Sequence, residues 1–232
     1  MSGIVPAASM TYQPERGSSS KALRVCHVLP GPADSSNMIF AKNQILALSE
    51  AGVECRSVFL QSRTSPVVLV REIVRLRKEL AQFHPDLIHA HYGTVTAAVC
   101  ALVWRFPLVI TYRGSDLNPG PGLFSLRSAV GRLLSQCAAL RASRMMCVST
   151  QLKNRLWWKK RFVAVVPGGV DLQRFRPMAK AAARLRMGWK SKEKVVIFNA
   201  GFDATRKRLD LAEAAIGMAR QWCSDIRLEV LD

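Results

Sequence analysis

Acidic residues are scarce in this chain. Sixteen Asp and Glu stand against thirty-four Lys and Arg, giving a net charge of +18 over 232 residues. That balance favours anionic partners (phosphates, an acidic membrane surface or nucleic acid) without choosing among them. Long apolar runs are also missing. None reaches 18 residues, and the longest, Val95–Trp104, is interrupted by Thr96 and suits a buried helix rather than a membrane span. The first residues, MSGIVPAASMTYQPERGSSSK, have neither a basic n-region nor an apolar h-region, so no secretory signal is expected. Their Ser, Gly and Pro content reads as a flexible tail over residues 1–20. The expectation is a cytoplasmic protein whose contact with a membrane is at most peripheral.

Several common sites are excluded by missing motifs. The dinucleotide fingerprint G-x-G-x-x-G does not follow the first strand, which continues as HVLPGPADSSN, and no G-x-x-x-x-G-K-[ST] phosphate loop occurs. No G-x-S-x-G elbow is present, which speaks against a serine hydrolase. Six cysteines, at 26, 55, 100, 137, 147 and 223, include no C-x-x-C pair and lie mostly in apolar runs, as reduced structural thiols do. There is no D-x-D. His89 and His91 lie two apart on one strand face and could ligate a metal, but no third ligand is close in sequence. Ordinary hydrogen-bonded histidines are the competing reading, and no metal or other cofactor is expected.

What is present is a core-forming chain, 49% apolar, in which short apolar runs alternate with helical patterns. Strands are expected at Leu23–Leu29, Val53–Leu60, Asp86–Ala90, Leu108–Tyr112, Met145–Val148 and Phe162–Val166. Helices are expected at Phe40–Ala51, from Ser65-Pro66 to Pro85, at Thr94–Arg105, at about Leu123–Ala142, and as a short turn capped by Ser149. In the second helix Leu69, Ile73, Leu76, Leu80 and Phe83 recur at spacings of 4, 3, 4 and 3, which keeps one face on a core. This alternation predicts an α/β fold with a doubly wound parallel sheet over residues 21–168. A linker over 169–190 with a basic, Ala-rich helix follows. Residues 191–232 then give one βαβ unit: strand Val195–Phe198, a helix from about Arg208 to Trp222, and strand Ile226–Leu231. No internal repeat is found.

Four segments, in order, resemble the family 4 glycosyltransferases, the retaining GT-B type. They are DLIHAHYGTVTAA at Asp86–Ala98, LVITYRGSDLN at Leu108–Asn118, VVPGGVDLQRFRP at Val165–Pro177, and GFDATRKRLDLAEAA at Gly201–Ala215. The third is similar to the family's interdomain "PNGVD..RF.P" signature and the fourth to its phosphate-clamping "GR…KG" segment. The resemblance covers roughly residues 22–232. It implies two Rossmann-like domains facing a cleft, the first (21–168) for the acceptor and the second, truncated one (191–232) for a nucleotide-diphosphate sugar. It also implies transfer of that sugar, with retained configuration, to a glycan or lipid-linked acceptor, as in polysaccharide biosynthesis.

The resemblance assigns roles to particular residues. Lys207, with Arg206 beside it, matches the segment that clamps the donor diphosphate, whose charge grows as it departs. Gly31, Ser35 and Ser36 occupy the first loop, where the family places glycines near the donor phosphates. Arg113 stands where the family commonly has a histidine near the reacting centre. It could bind a phosphate or carboxylate but cannot act as a general base near neutral pH. Asp116 is expected to orient Arg113, and His91 to complete the site. Phe202 stands where the family usually has its clamping arginine. The family's acidic E-x7-E pair would fall beyond Asp232, so little or no transfer is expected from this chain by itself.

Two further partners follow from charge. Residues 153–161, KNRLWWKKR, join five cations to Trp157 and Trp158, and the helix after Leu123 adds Arg127, Arg132 and Arg141; both suit an anionic bilayer surface. A non-catalytic fragment, or a basic protein that binds anions or nucleic acid, is the alternative. Nucleic acid is disfavoured, because no helix-turn-helix, zinc-finger or RRM signature appears.

Overall fold

The computed structural model describes residues 21–35, 38–61, 65–118, 126–201 and 204–231, without the side chains of Pro66 and Arg206. The tail over 1–20, Ser36, Phe202 and Asp232 lie outside the described residues. The chain divides into two compact units, the first ending at Pro167 and the second beginning at Gly168.

The first unit is a six-stranded parallel sheet with the strand order β2-β1-β3-β4-β5-β6. In chain order its elements are β1 (Arg24–Pro30), α1 (Ile39–Glu50), β2 (Glu54–Leu60), α2 (Pro66–Phe83), β3 (Leu87–His91), α3 (Thr94–Ala101), β4 (Leu108–Tyr112), α4 (Leu126–Arg141), β5 (Arg144–Cys147), α5 (Thr150–Asn154) and β6 (Val163–Val165). β1 (RVCHVLP) and β3 (LIHAH) are buried along nearly their whole length, as strands covered on both faces must be. α2 begins where Ser65 accepts a hydrogen bond from Val68 N–H. It presents Leu76, Leu80 and Phe83 to the core, with Leu69 and Ile73 packed beside them. His84, at φ 47°, closes it just before Pro85.

Several element limits differ from the sequence reading. α1 starts at Ile39 behind Met38, which adopts a left-handed conformation and gives no side-chain cap. α3 stops at Ala101 rather than Arg105. There Leu102 N–H is shared between the carbonyls of Ala98 and Val99 and Val103 N–H reaches Cys100 O, a tightening that ends the helix ahead of a turn at Trp104 and Arg105. α4 is described only from Leu126, since residues 119–125 lie outside the described residues.

All six cysteines are free, and burial pushes the thiols of Cys26 and Cys147 up to about 12, which suits packing rather than reactivity.

The second unit holds α6 (Lys180–Arg186), β7 (Lys194–Asn199), α7 (Ala204–Lys207), α8 (Leu209–Ala219) and β8 (Ile226–Leu231), with β7 and β8 paired in parallel. Among its described residues only Ala200 and Ile216 are fully buried, while Ile197, Leu211, Met218 and Trp222 are exposed. No helix among the described residues is long and apolar enough to cross a membrane.

Candidate functional site

The strand order reverses at β1 and β3. β1 leads by α1 to β2 on one side, and β3 leads by α3 to β4 on the other. In open parallel sheets that reversal opens a crevice at the carboxyl ends of the strands, where ligands bind. His91 is the last residue of β3, Gly31 directly follows β1, and Arg113 directly follows β4.

A directed chain of polar side chains lies there. Arg113 Nη2 is 3.2 Å from Gln44 Oε1 on α1 and 3.2 Å from His91 Nδ1. His91 Nε2 is 2.9 Å from His27 Nδ1 on β1. The register of parallel strands explains the gathering: His27 pairs with His89, and His91 shares the face of His89 two residues on. His89 Nε2 in turn lies 2.7 Å from Thr111 Oγ1 on β4. All three imidazoles are buried and neutral. Burial lowers His27 to about 4; burial, the proximity of His27 and the charge of Arg113 lower His89 to about 3; and burial, the other two imidazoles and Arg113 hold His91 well below the ordinary range.

The third imidazole supplies what the sequence reading found missing for a metal site, since ligand atoms of His27, His89 and His91 lie within 4.8 Å of one another. Two of these atoms, however, are joined by the His27–His91 hydrogen bond, and His91 offers its other nitrogen to a cation. A divalent ion would have to break that bond and sit beside the guanidinium. The donor set fits a hydrogen-bond chain better than a coordination sphere.

Asp116 is fully buried. Its carboxylate accepts from the backbone N–H groups of Gly93 (3.0 Å), Gly114 (2.8 Å) and Arg113 (3.0 and 3.2 Å). Asp116 therefore positions the Arg113 backbone, while Gln44 and His91 hold its guanidinium. Burial pushes the Asp116 carboxyl up, and the backbone donors pull it back.

The turn after β3 is strained. Tyr92 and Thr94 both take positive φ, 127° and 51°, a conformation costing a non-glycine residue about 1–3 kcal/mol. Contacts hold it in place: Thr94 N–H donates to Ser135 Oγ on α4 (2.6 Å), and Tyr92 Oη lies 2.7 Å from Ser115 Oγ. Gly93 between them is packed so tightly that a Cβ would lie 2.5 Å from Ser135 Oγ and 3.0 Å from Asp116 Cβ. His27, Gln44, Gly93 and Ser135 were not singled out from the sequence. A histidine inside the otherwise apolar β1 was the one visible signal.

The first loop is held by Lys42 of α1, whose ammonium meets the carbonyls of Ala33 (2.7 Å) and Ser35. Gly31 has φ 88° and open space where a side chain would stand. Ser36 is outside the described residues.

In the second unit, Lys207 ends the short α7 beyond the carboxyl end of β7. Its Nζ lies 3.2 Å from Asn199 Oδ1, and a Cβ on Gly201 would come within 2.8 Å of it. The helix expected from about Arg208 is α8, and a further short helix, α7, precedes it, the two separated where Arg208 takes φ 63°. Arg208 pairs with Asp210 at 2.7 Å, which leaves Lys207 as the described cation of this turn without a carboxylate partner.

The basic-aromatic run at 153–161 is engaged within the fold. Lys159 Nζ caps the end of α4 through the carbonyls of Leu140 (3.0 Å) and Ala142 (2.6 Å). Lys153 reaches Val163 O, Lys160 reaches Asn154 O, and Trp158 packs against the core and donates to Gln136 O. These contacts give the run a structural reason to be basic and lend the bilayer expectation no support.

Known proteins resemble the chain. It is 29% identical over 142 residues to TuaC of Bacillus subtilis (strain 168), a protein assigned as a teichuronic acid biosynthesis glycosyltransferase, covering 56% of this chain and 34% of that one. It is 26% identical over 213 residues to the D-inositol 3-phosphate glycosyltransferase of Nocardia farcinica (strain IFM 10152), covering 73% and 47%. The chain thus spans less than half the length of these two relatives. Among solved structures, sucrose-phosphate synthase of Thermosynechococcus elongatus superposes with a TM-score of 0.64 over 90% of this chain and 71% of that one, at 14% identity, which establishes the shared fold. The model for Glycosyltransferase Family 4 matches residues 26–174, from β1 to just past the last strand of the six-stranded sheet, and with well over half its length matched the chain belongs to Glycosyltransferase Family 4.

Proposed function

We propose that the first unit is the acceptor side, and the second unit the beginning of the donor side, of a retaining glycosyltransferase. The sugar comes from a nucleotide-diphosphate sugar and goes to a glycan or lipid-linked acceptor in the cytoplasm. The observation that carries this reading is a preorganised polar site, Gln44–Arg113–His91–His27, at the sheet position where open parallel folds take ligands, in a chain of this family. The relative assigned to teichuronic acid biosynthesis supports a polysaccharide product.

Sugar departure leaves negative charge on the diphosphate, and fixed cations stabilise that charge best where no carboxylate competes for them. Lys207 meets this condition, with neutral Asn199 as its partner and Gly201 leaving room beside its ammonium. Arg206 precedes it in the same turn. The reading gives this task to side chains rather than to a metal.

Calorimetric titration with UDP, GDP and their sugars tests the proposal. The wild-type chain should bind one nucleotide class, and Lys207→Ala should weaken binding about 10- to 100-fold, the worth of one charge-assisted contact. A chain that melts cooperatively yet binds none of these nucleotides would overturn it. A nucleic-acid function is not favoured, because Lys153, Lys159, Lys160 and Arg141 spend their charge on carbonyls within the fold.

A further inference from the structure

The hydrogen-bond chain at the switch point has a forced direction. An arginine only donates, so His91 Nδ1 must be the acceptor of the bond from Arg113 Nη2. A neutral His91 then carries its proton on Nε2 and donates it to His27 Nδ1. His27 in turn carries its proton on Nε2, which is buried and has no partner among the described residues. Protonating either imidazole would set two N–H groups against each other. The chain is therefore satisfied in one arrangement, with both histidines neutral and the guanidinium cationic.

That arrangement consumes one corner of the guanidinium. Both Nη2 hydrogens are spent, one on Gln44 and one on His91, and both acceptors are neutral. The nearest carboxylate, Asp116, is occupied by three backbone N–H groups. Arg113 Nε is buried and, like Nη1, makes no hydrogen bond to a described residue. A half-buried cation is thus held rigidly by neutral groups with its remaining donors unspent. Such a group is costly unless an anion completes it.

We infer that Arg113 is the receptor for an oxyanion, a carboxylate or a phosphate, carried by the sugar substrate, and that Gln44, His91 and His27 are positioning residues that hold its guanidinium for this purpose. The inference rests on the transferase reading for the word substrate, and it narrows that substrate to an acidic sugar or a sugar phosphate. Anion binding at Arg113 is nevertheless a property of the first unit, separable from any nucleotide site. Arginine suits the task better than the lysine point charge because its planar donors fix the orientation of the anion.

The test uses the whole chain and three probes at constant ionic strength: methyl glucuronide, glucose 1-phosphate and the neutral methyl glucoside. Binding is followed by calorimetry and by the 15N resonances of the arginine side chains. One of the two anionic probes should bind saturably and shift the Arg113 Nε signal, and which one does so separates the carboxylate source from the phosphate source. The neutral glucoside should do neither. Arg113→Gln should weaken binding about 10- to 100-fold and Arg113→Lys by less, the loss expected for one charge-assisted contact. His91→Leu should weaken binding, and His91→Asn, which keeps an acceptor near the Nδ1 position, should restore most of it; a merely structural role for His91 would not separate the two. Equal binding of the neutral glucoside, or undiminished anion binding by folded Arg113→Gln and Arg113→Lys chains, would overturn the inference. Nucleotide binding without anion binding would overturn it and spare the transferase reading, and anion binding without nucleotide binding would do the reverse.

Discussion

Asp116 Oδ2 lies 3.0 Å from Gly93 N, and this contact joins the turn after β4 to the turn after β3. The same carboxylate holds the Arg113 and Gly114 N–H groups. One buried side chain thereby sets the relative placement of His91 and Arg113, the two residues that meet at the strand ends. Removing it leaves three backbone donors without an acceptor.

Asp116→Ala is expected to destabilise the first unit by about 3–5 kcal/mol, and Asp116→Asn by less, since an amide oxygen still serves part of the set. Urea denaturation at pH 7 measures both. A loss below about 1 kcal/mol for the alanine variant would show that the turns are held by other contacts.

Gly93 is required by packing. A methyl group there would meet Ser135 Oγ at 2.5 Å and the ring of Tyr112 at 3.0 Å. Gly93→Ala should cost about 1–3 kcal/mol, as overpacking of a well-filled site does. In the Gly93→Ala, Ser135→Ala double variant the closest clash is gone, so the two losses should be less than additive. Strict additivity in a double-mutant cycle would contradict the contact.

Acid should destabilise the first unit through its buried histidines. Folding lowers His27 to about 4 and His89 to about 3 from an ordinary 6.5, so between these limits the unfolded chain binds more protons than the folded one. The sign follows: stability is level above pH 7 and falls as pH drops from 6.5 towards 4. The loss from His27 alone is on the order of 3 kcal/mol. The raised Asp116 carboxyl offsets part of it at the acid end. Urea midpoints measured from pH 7.5 to 4.5 should show this slope, and His27→Gln should flatten it.

The second unit should open before the first. β7 and β8 form a two-stranded sheet whose Val196, Ile197 and Leu231 are exposed, whereas the residues of β1 and β3 are largely buried. Two-stranded sheets are marginal alone. Native-state hydrogen exchange should find amides of β7 and β8 less protected than those of β1, β3 and β4 by at least about 2 kcal/mol of opening free energy. Equal protection would contradict this.

The strands were legible in the sequence because each is a short apolar run between turn residues, and β4 and β8 fall at the expected limits. Helix limits were less legible where backbone conformation decides them: left-handed residues at Met38 and Arg208, and the tightened turn at Leu102, leave no compositional mark. His91, Arg113 and Asp116 stood out through their motifs, and the fold brings them together. The partners that give them direction did not. His27 and Gln44 reach Arg113 and His91 only through parallel pairing and the return of α1, relationships of register rather than of sequence spacing. The role of Asp116 turned on whether its carboxylate met a side chain or the backbone, which spacing does not encode.

The most direct test of the account is backbone amide mapping by two-dimensional NMR, with UDP or GDP added in one titration and an anionic sugar in the other. The account predicts that the nucleotide shifts amides around Gly201–Arg208, while the sugar shifts amides around His91–Thr94 and Arg113–Asp116. Shifts from both ligands confined to one patch, or scattered over the basic surface without either cluster, would contradict it.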